Sequence, residues 1–335
     1  MRQRPLALAL ALSCLLGGSQ LLAAQRDVAP GAWWELRMLG VTNFRKLDAV
    51  AALPHRPVTL AIVGQGGVSR ALIEPVLRKG NAFEYRAGAT DPGVETHDTA
   101  AARVILDITS ALGVHVKVLA WQPGDAFTDV ASAMEAAGRE ADLVAFFQSF
   151  WSGDEVKISD AIARSTGCLF ISPYAEFEGR PTCTCVQSCS AKPWSVGFEH
   201  FVTVAPIARS APGEVFQPAS GGADAEVINF LAPSYYASGP GGTCPSAEVA
   251  VAVAAYIFAS ATRKPTPLEV VRLMRETSTI DEDALTTAPE YNFTLVRKAA
   301  AQIRALVSPD AGRPRKLDAA GVLNLWRIFL RLAMR

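Results

Sequence analysis

The sequence predicts an α/β protein, a mainly parallel sheet covered by helices on both faces. Three observations predict it. Short β-branched apolar runs alternate along the chain with longer stretches whose apolar residues recur at helical spacing. Several of those runs are apolar almost throughout, as strands covered on both faces are. The chain has 335 residues, 50% apolar and only 19% charged, which suits one large domain with a substantial core and excludes a disordered or fibrous chain.

The first stretch, residues 1–24, stands apart from the fold. Arg2 and Arg4 precede an apolar run from Leu6 to Leu16, followed by Gly17, Gly18, Ser19 and a Leu-Leu-Ala-Ala ending at Ala24. That order is the one of a secretory signal peptide, so the folded part is expected in a periplasmic or extracellular space. Leu6 to Ala24 also approaches spanning length, so an uncleaved segment would serve as a membrane anchor. Residues 25–54 read as an N-terminal extension, 55–325 as the folded domain and 326–335 as a basic amphipathic tail.

Within the domain, Pro57–Val63 is a strand that closes on the turn Gly64-Gln65-Gly66-Gly67. Thr99–Leu112 is helical, with Val104, Ile105 and Ile108 on one face. Val114–Trp121 is a strand, Phe127–Ala137 a helix, Leu143–Phe147 a strand, Lys157–Ser165 a helix and Cys168–Ile171 a strand. Phe201–Pro206 and Glu226–Leu231 are further strands, and Ser246–Ala261 is the longest apolar helix. The last segment, Leu323–Arg335, suits an anionic membrane surface, a partner helix or the domain itself.

Charge and cysteines narrow the function. Lys+Arg 32 balances Asp+Glu 32, and no basic run exceeds Arg313-Pro314-Arg315-Lys316, so nucleic acid is excluded as an expected partner. No cofactor motif is present. Of the 6 cysteines, Cys14 falls in the leader and five remain. Cys183, Cys185 and Cys189 crowd into one short stretch, with Cys168 upstream. In an oxidising compartment these four are disulfide candidates rather than metal ligands, with the pairing open. Cys244 is left over.

The entrance to the long helix is informative. Gly241-Gly242-Thr243-Cys244-Pro245 puts Cys244 at the N-cap, with Pro at the first helical position. A side chain there faces unpaired backbone N–H groups and the positive end of the helix dipole, which favours a thiolate. Alone, the same feature equally describes a small cysteine filling a helix start.

Gly241–Ala259 (GGTCPSAEVAVAVAAYIFA) resembles the nucleophile segment of the subtilisin-like serine peptidases, the subtilases. Thr96-His97-Asp98-Thr99 is similar to their catalytic-histidine segment, and Leu60–Gly66 to the strand that ends in the catalytic Asp. Gly138–Phe147 resembles the cleft-lining strand, Leu169–Glu176 the strand ending in the oxyanion Asn, and Lys316–Leu323 the closing segment. The resemblance runs from about residue 55 to 325. It implies a three-layer α/β/α fold. It also implies a cleft in which Leu143, Val144, Ala145 and Phe146 hold an extended peptide by strand addition.

The departures decide the expected function. Gly64 stands where the family has Asp, Glu176 where it has the oxyanion Asn, Cys244 where it has the nucleophilic Ser, and Glu248 where it has a Pro. His97 alone of the triad remains. Loss of the acid costs such triads roughly 10⁴ in rate, and loss of one oxyanion donor roughly 10²–10³. The sequence therefore predicts a pseudopeptidase that binds a peptide or protein in its former cleft. The alternative is a thiol peptidase with Cys244 as nucleophile and His97 as base, oriented by Asp98 or Glu95 from a new direction. His55 reads as a surface residue, and His115 and His200 as structural. Trp33, Trp34 and Trp151 read as packing, and Phe150-Trp151 would narrow the pocket for a substrate side chain.

Overall fold

The structure, a computed structural model, describes residues 36, 39–41, 43–64, 66–86, 88–124, 127–147, 155–173, 176–177, 180–181, 198–211, 214–216, 229–235, 244–278 and 323–334. Its centre is β1 (Val58–Val63), buried on both faces at every residue but the half-buried Thr59. It pairs in parallel with β3 (Val116–Trp121), from Val58↔Val116 to Val63↔Trp121. On its other side it pairs in parallel with β4 (Leu143–Phe146), from Leu60↔Leu143 to Val63↔Phe146. With β2 (Ala82–Arg86), β5 (Leu169–Pro173), β8 (Phe201–Ala211) and β10 (Phe230–Tyr235), the sheet runs β10-β8-β5-β4-β1-β3-β2, parallel throughout. β9 (Glu214–Phe216) adds an antiparallel partner to β8, and β6 (Glu176–Phe177) with β7 (Arg180–Pro181) forms a separate hairpin.

Side chains alternate across β1 and divide the core in two. Leu60 and Ile62 join a cluster with Ile105 and Leu106 of α3 (His97–Ala111) and with α6 (Cys244–Ser260). Ala61 and Val63 join the opposite cluster, with Val130 and Met134 of α4 (Phe127–Glu140) and Ile158 and Ile162 of α5 (Glu155–Arg164). This is the expected three-layer α/β/α arrangement. Parallel neighbours require crossover connections, and the helices supply them.

Helix α6 is apolar on every side and correspondingly buried along its length. Each fully buried Val, Ile or Phe side chain contributes roughly 1.5–3 kcal/mol. Arg56 donates through Nη2 to the carbonyls of Phe258 and Ala261 at 2.9 and 3.0 Å, closing the negative end of the helix. The Tyr256 hydroxyl donates to the Val50 carbonyl at 3.1 Å and ties α6 to α1 (Phe44–Ala51).

Both flanking segments belong to this core. Leu47 and Val50 of α1, and Leu325, Ile328 and Leu332 of α8 (Leu325–Ala333), are buried in the α6 cluster. Part of the apolar face of the tail is thus packed on the domain itself, while Leu330 and Met334 stay exposed. Its outer face carries Arg331, 3.8 Å from Glu276. Among the described residues, no helix is long and apolar enough to cross a membrane.

The elements that escaped the sequence reading include α1, β2, the short α2 (Arg70–Ile73), α7 (Pro267–Thr277) and the short strands β6, β7 and β9. β2 is an edge strand with one buried residue, Phe83, and its Glu84 pairs with Arg86 and Lys117, so it shows no apolar run. α7 opens with a capping box between Thr266 and Glu269, a signal present in the sequence. Replacing Tyr256 by Phe should lower unfolding free energy by about 1 kcal/mol in denaturant titration, because one of the bonds to the Val50 carbonyl is lost.

Candidate active site

Two helix starts meet above the carboxyl end of the sheet. The first is that of α3. Thr96 caps it, its hydroxyl accepting from Thr99 N at 3.0 Å and donating to the Gly67 carbonyl. Ser69 N donates to Thr99 Oγ1 at 2.8 Å, so this helix start is fastened to the turn that follows β1. His97 is the first helical residue and Asp98 the second, where the helix dipole favours a carboxylate.

Asp98 turns inward. It is 3% exposed, and its carboxylate lies over Gly64 at the end of β1, where a Cβ built on that glycine would run into both oxygens. A Cβ on Gly66 would stand 3.3 Å from Oδ2. The room an acidic side chain at the end of β1 would need is therefore filled by a carboxylate from α3. Asp98 Oδ1 is 3.6 Å from His97 Nδ1, an ion-pair contact looser than a formed hydrogen bond. Glu95, the other acid considered for this role, pairs instead with Arg103 at 2.9 Å on the surface.

The His97 ring is half-exposed. It packs edge-to-face on Phe147, with centroids 5.6 Å apart and planes at 71°. Its proton is held well above the usual imidazole range, first by Asp98 and then by a hydrogen bond and charge interaction with Cys244. Cys244 is the first residue of α6, one position further into the helix than the N-cap read from sequence, and it is partly buried against the core. α6 packs along α3, and this brings the thiol to the imidazole.

One turn into α6 lies Glu248, 4% exposed, its Oε2 buried without a hydrogen-bond partner. Burial pushes its carboxyl up to about 7, and the charge on His97 pulls the other way. The site thus sets His97 beside a thiol and the Asp98 carboxyl, with the buried Glu248 carboxyl within reach of its charge.

The structure brings Gly64, His97 and Cys244 together through Asp98 and the two helix starts. Glu176 lies on β6, paired with Pro181 in the short hairpin, and its side chain is outside the described residues. Leu143, Val144, Ala145 and Phe146 require correction. β4 pairs with β1 on one side and β5 on the other, and all four side chains are fully buried, so this strand offers no edge to an incoming peptide. Cys168 also departs from expectation: it is an unbonded thiol buried beneath the sheet, and burial pushes its pKa far up. Cys183, Cys185 and Cys189 lie outside the described residues, as do Trp33, Trp34, Phe150 and Trp151. His200 is structural, its Nε2 3.0 Å from the Ile162 carbonyl, while His55 and His115 are exposed. Sequence reasoning missed Phe147 and the burial of Glu248 beside the site. The second was signalled by a lone acid in an otherwise apolar helix.

The arrangement coincides with a known class of fold. Three solved structures superpose over 90% of this chain: the subtilase cytotoxin SubAB assembly (TM-score 0.60, 13% identity, 96% of that chain), a lanthipeptide protease (0.54, 14%, 95%) and the nisin leader peptidase NisP from Lactococcus lactis (0.51, 12%, 94%). The protein has the subtilisin-like fold. No protein-family model and no curated protein sequence matches the chain.

Two outcomes test the site's packing. Gly64→Ala should destabilise by about 1–3 kcal/mol, because its methyl displaces Asp98, and the cost should largely vanish in an Asp98→Ala background. Glu248 tests the electrostatics. A carboxyl raised in the folded state contributes stability that is complete below its unfolded value and is lost as pH rises through about 7. Glu248→Gln should therefore gain on the wild type between pH 5 and 8, by about 3 kcal/mol at the upper end, in parallel thermal melts.

Proposed function

We propose that the protein is a thiol-dependent peptidase on a subtilisin-like scaffold, with Cys244 as nucleophile, His97 as general base and Asp98 as the acid that orients the imidazole. The observation that carries this reading is the carboxylate of Asp98 lying over Gly64. One reason to expect an inactive protein is the missing acid at Gly64, and an acid stands in that space. An imidazole held protonated beside a thiol at a helix start favours the thiolate, which needs less activation than a hydroxyl.

The chemistry then balances simply. Cys244 Sγ attacks a peptide carbonyl, and the proton from the thiol resides on His97. The imidazolium passes it to the leaving amine as the C–N bond breaks and a thioester forms. Water, deprotonated by His97, hydrolyses the thioester and restores the thiol. Residues 1–24 have the order of a secretory signal, so the reading includes export and substrates met outside the cytoplasm.

A second reading, a pseudopeptidase that retains a peptide or protein, is favoured by Glu176 at the position of the oxyanion carboxamide, where a carboxylate would oppose the developing charge. Digestion of a diverse peptide library, read by mass spectrometry, separates the two. The peptidase reading expects cleavage that is absent in Cys244→Ala and His97→Ala and is reduced roughly 10²–10⁴-fold in Asp98→Asn. Peptides retained but uncut by the wild type would establish the second reading, and cleavage surviving Cys244→Ala would overturn the first.

A further inference from the structure

Glu248 is not explained by the fold. It sits one turn after Cys244 on the same face of α6, in a helix otherwise built of small and apolar residues. Its side chain is 4% exposed, and Oε2 meets no donor. Burying a carboxyl without a donor is costly, and an apolar residue of similar size would fill the space without that cost. A group kept at such expense beside a reactive pair is placed for what its charge does there.

The surroundings define what it acts on. From α3 comes His97, among the described residues the one charged group that acts on it, with Asp98 beside it in sequence; from α6 itself comes Cys244. β1, β4, β5 and the first four residues of β8 contribute no acidic or basic side chain. The charged residues of α7 and α8 belong to the far end of α6, where Glu269 and Leu332 share a pocket with Ile257 and Ala261.

We propose that Glu248 is a second positioning carboxyl of the site, neutral in acid and charged in alkali, that keeps the His97 imidazole protonated as the pH rises. The proposal rests on the Cys244–His97 reading above and deepens it. While protonated, Glu248 adds no charge to the site and leaves the pairing of thiolate and imidazolium to Asp98. When it gives its proton to solvent, the new carboxylate makes loss of the imidazolium proton harder. The ion pair, and the proton needed by a leaving amine, then persist to a higher pH than Asp98 alone would support.

Alkylation of Cys244 by iodoacetate tests this without a known substrate. An imidazolium–thiolate pair gives a bell-shaped pH profile with this anionic reagent, rising as the thiolate forms and falling as the imidazolium is lost. In Glu248→Gln the acid limb should stay in place and the alkaline limb should move down by on the order of one pH unit, the effect of removing one nearby charge. Glu248→Leu, equally uncharged, should show the same one-sided shift, and thermal melts confirm that each variant is folded. Superimposable profiles, or a displacement of both limbs together as a structural disturbance would give, overturn the role of Glu248. A wild-type profile like that of a free thiol, indifferent to His97→Ala, overturns the Cys–His pair as well. That result is distinct, since in the first case the bell and its dependence on His97 remain.

Discussion

Helix α6 has no solvated face, and that single fact organises the molecule. A helix apolar on all sides is stable only when surrounded, so the sheet, α1, α3, α7 and α8 close around it. The same enclosure fixes where its first turn must end. Cys244 can reach the protein surface only at the start of this buried rod, and α3, packed alongside, presents its own first turn there. The meeting of two helix starts is thus a consequence of core packing, and it concentrates unpaired N–H groups and positive dipole ends around one thiol and one imidazole.

Much of this was legible in the chain. The strands of the sheet interior and the helices that cover it declare themselves through apolar runs and period, because burial on both faces leaves little choice of residue. The edge strand β2 was silent for the opposite reason: with one face solvated it is built from Glu84, Tyr85 and Arg86, which carry no apolar pattern. Cys244 and His97 were readable as a pair through their segments. Asp98 was readable only as one of two acids beside His97, undecided against Glu95, because residues adjacent in sequence usually point apart. Whether a second helical residue turns inward depends on the room below it, and only the folded chain reveals that Gly64 leaves that room. The expectation that Leu143–Phe146 would hold a peptide failed on topology, since the order of strands in a sheet is not written in any one of them.

Gly64 and Asp98 together illustrate how position and chemistry separate. Aligned by sequence, no acid stands at Gly64; in space, the Asp98 carboxylate lies over that glycine. A glycine at that strand end is compatible with the carboxylate from α3, whereas any larger residue would displace it. Glu248 extends the pattern, since a second carboxyl lies buried one turn beyond Cys244.

In the proposed Cys–His mechanism the acid and the base stand on consecutive residues of one helical turn, which has a mechanical consequence. In a triad assembled from three separate elements, either of two distances can drift as the elements breathe. Here the acid and the base travel together as one rigid piece, clamped by Thr96 and Thr99 to the loop beneath. The remaining degree of freedom is the sliding of α3 along α6, so thermal motion would alter the distance from thiol to imidazole long before it disturbed the orientation of the ring.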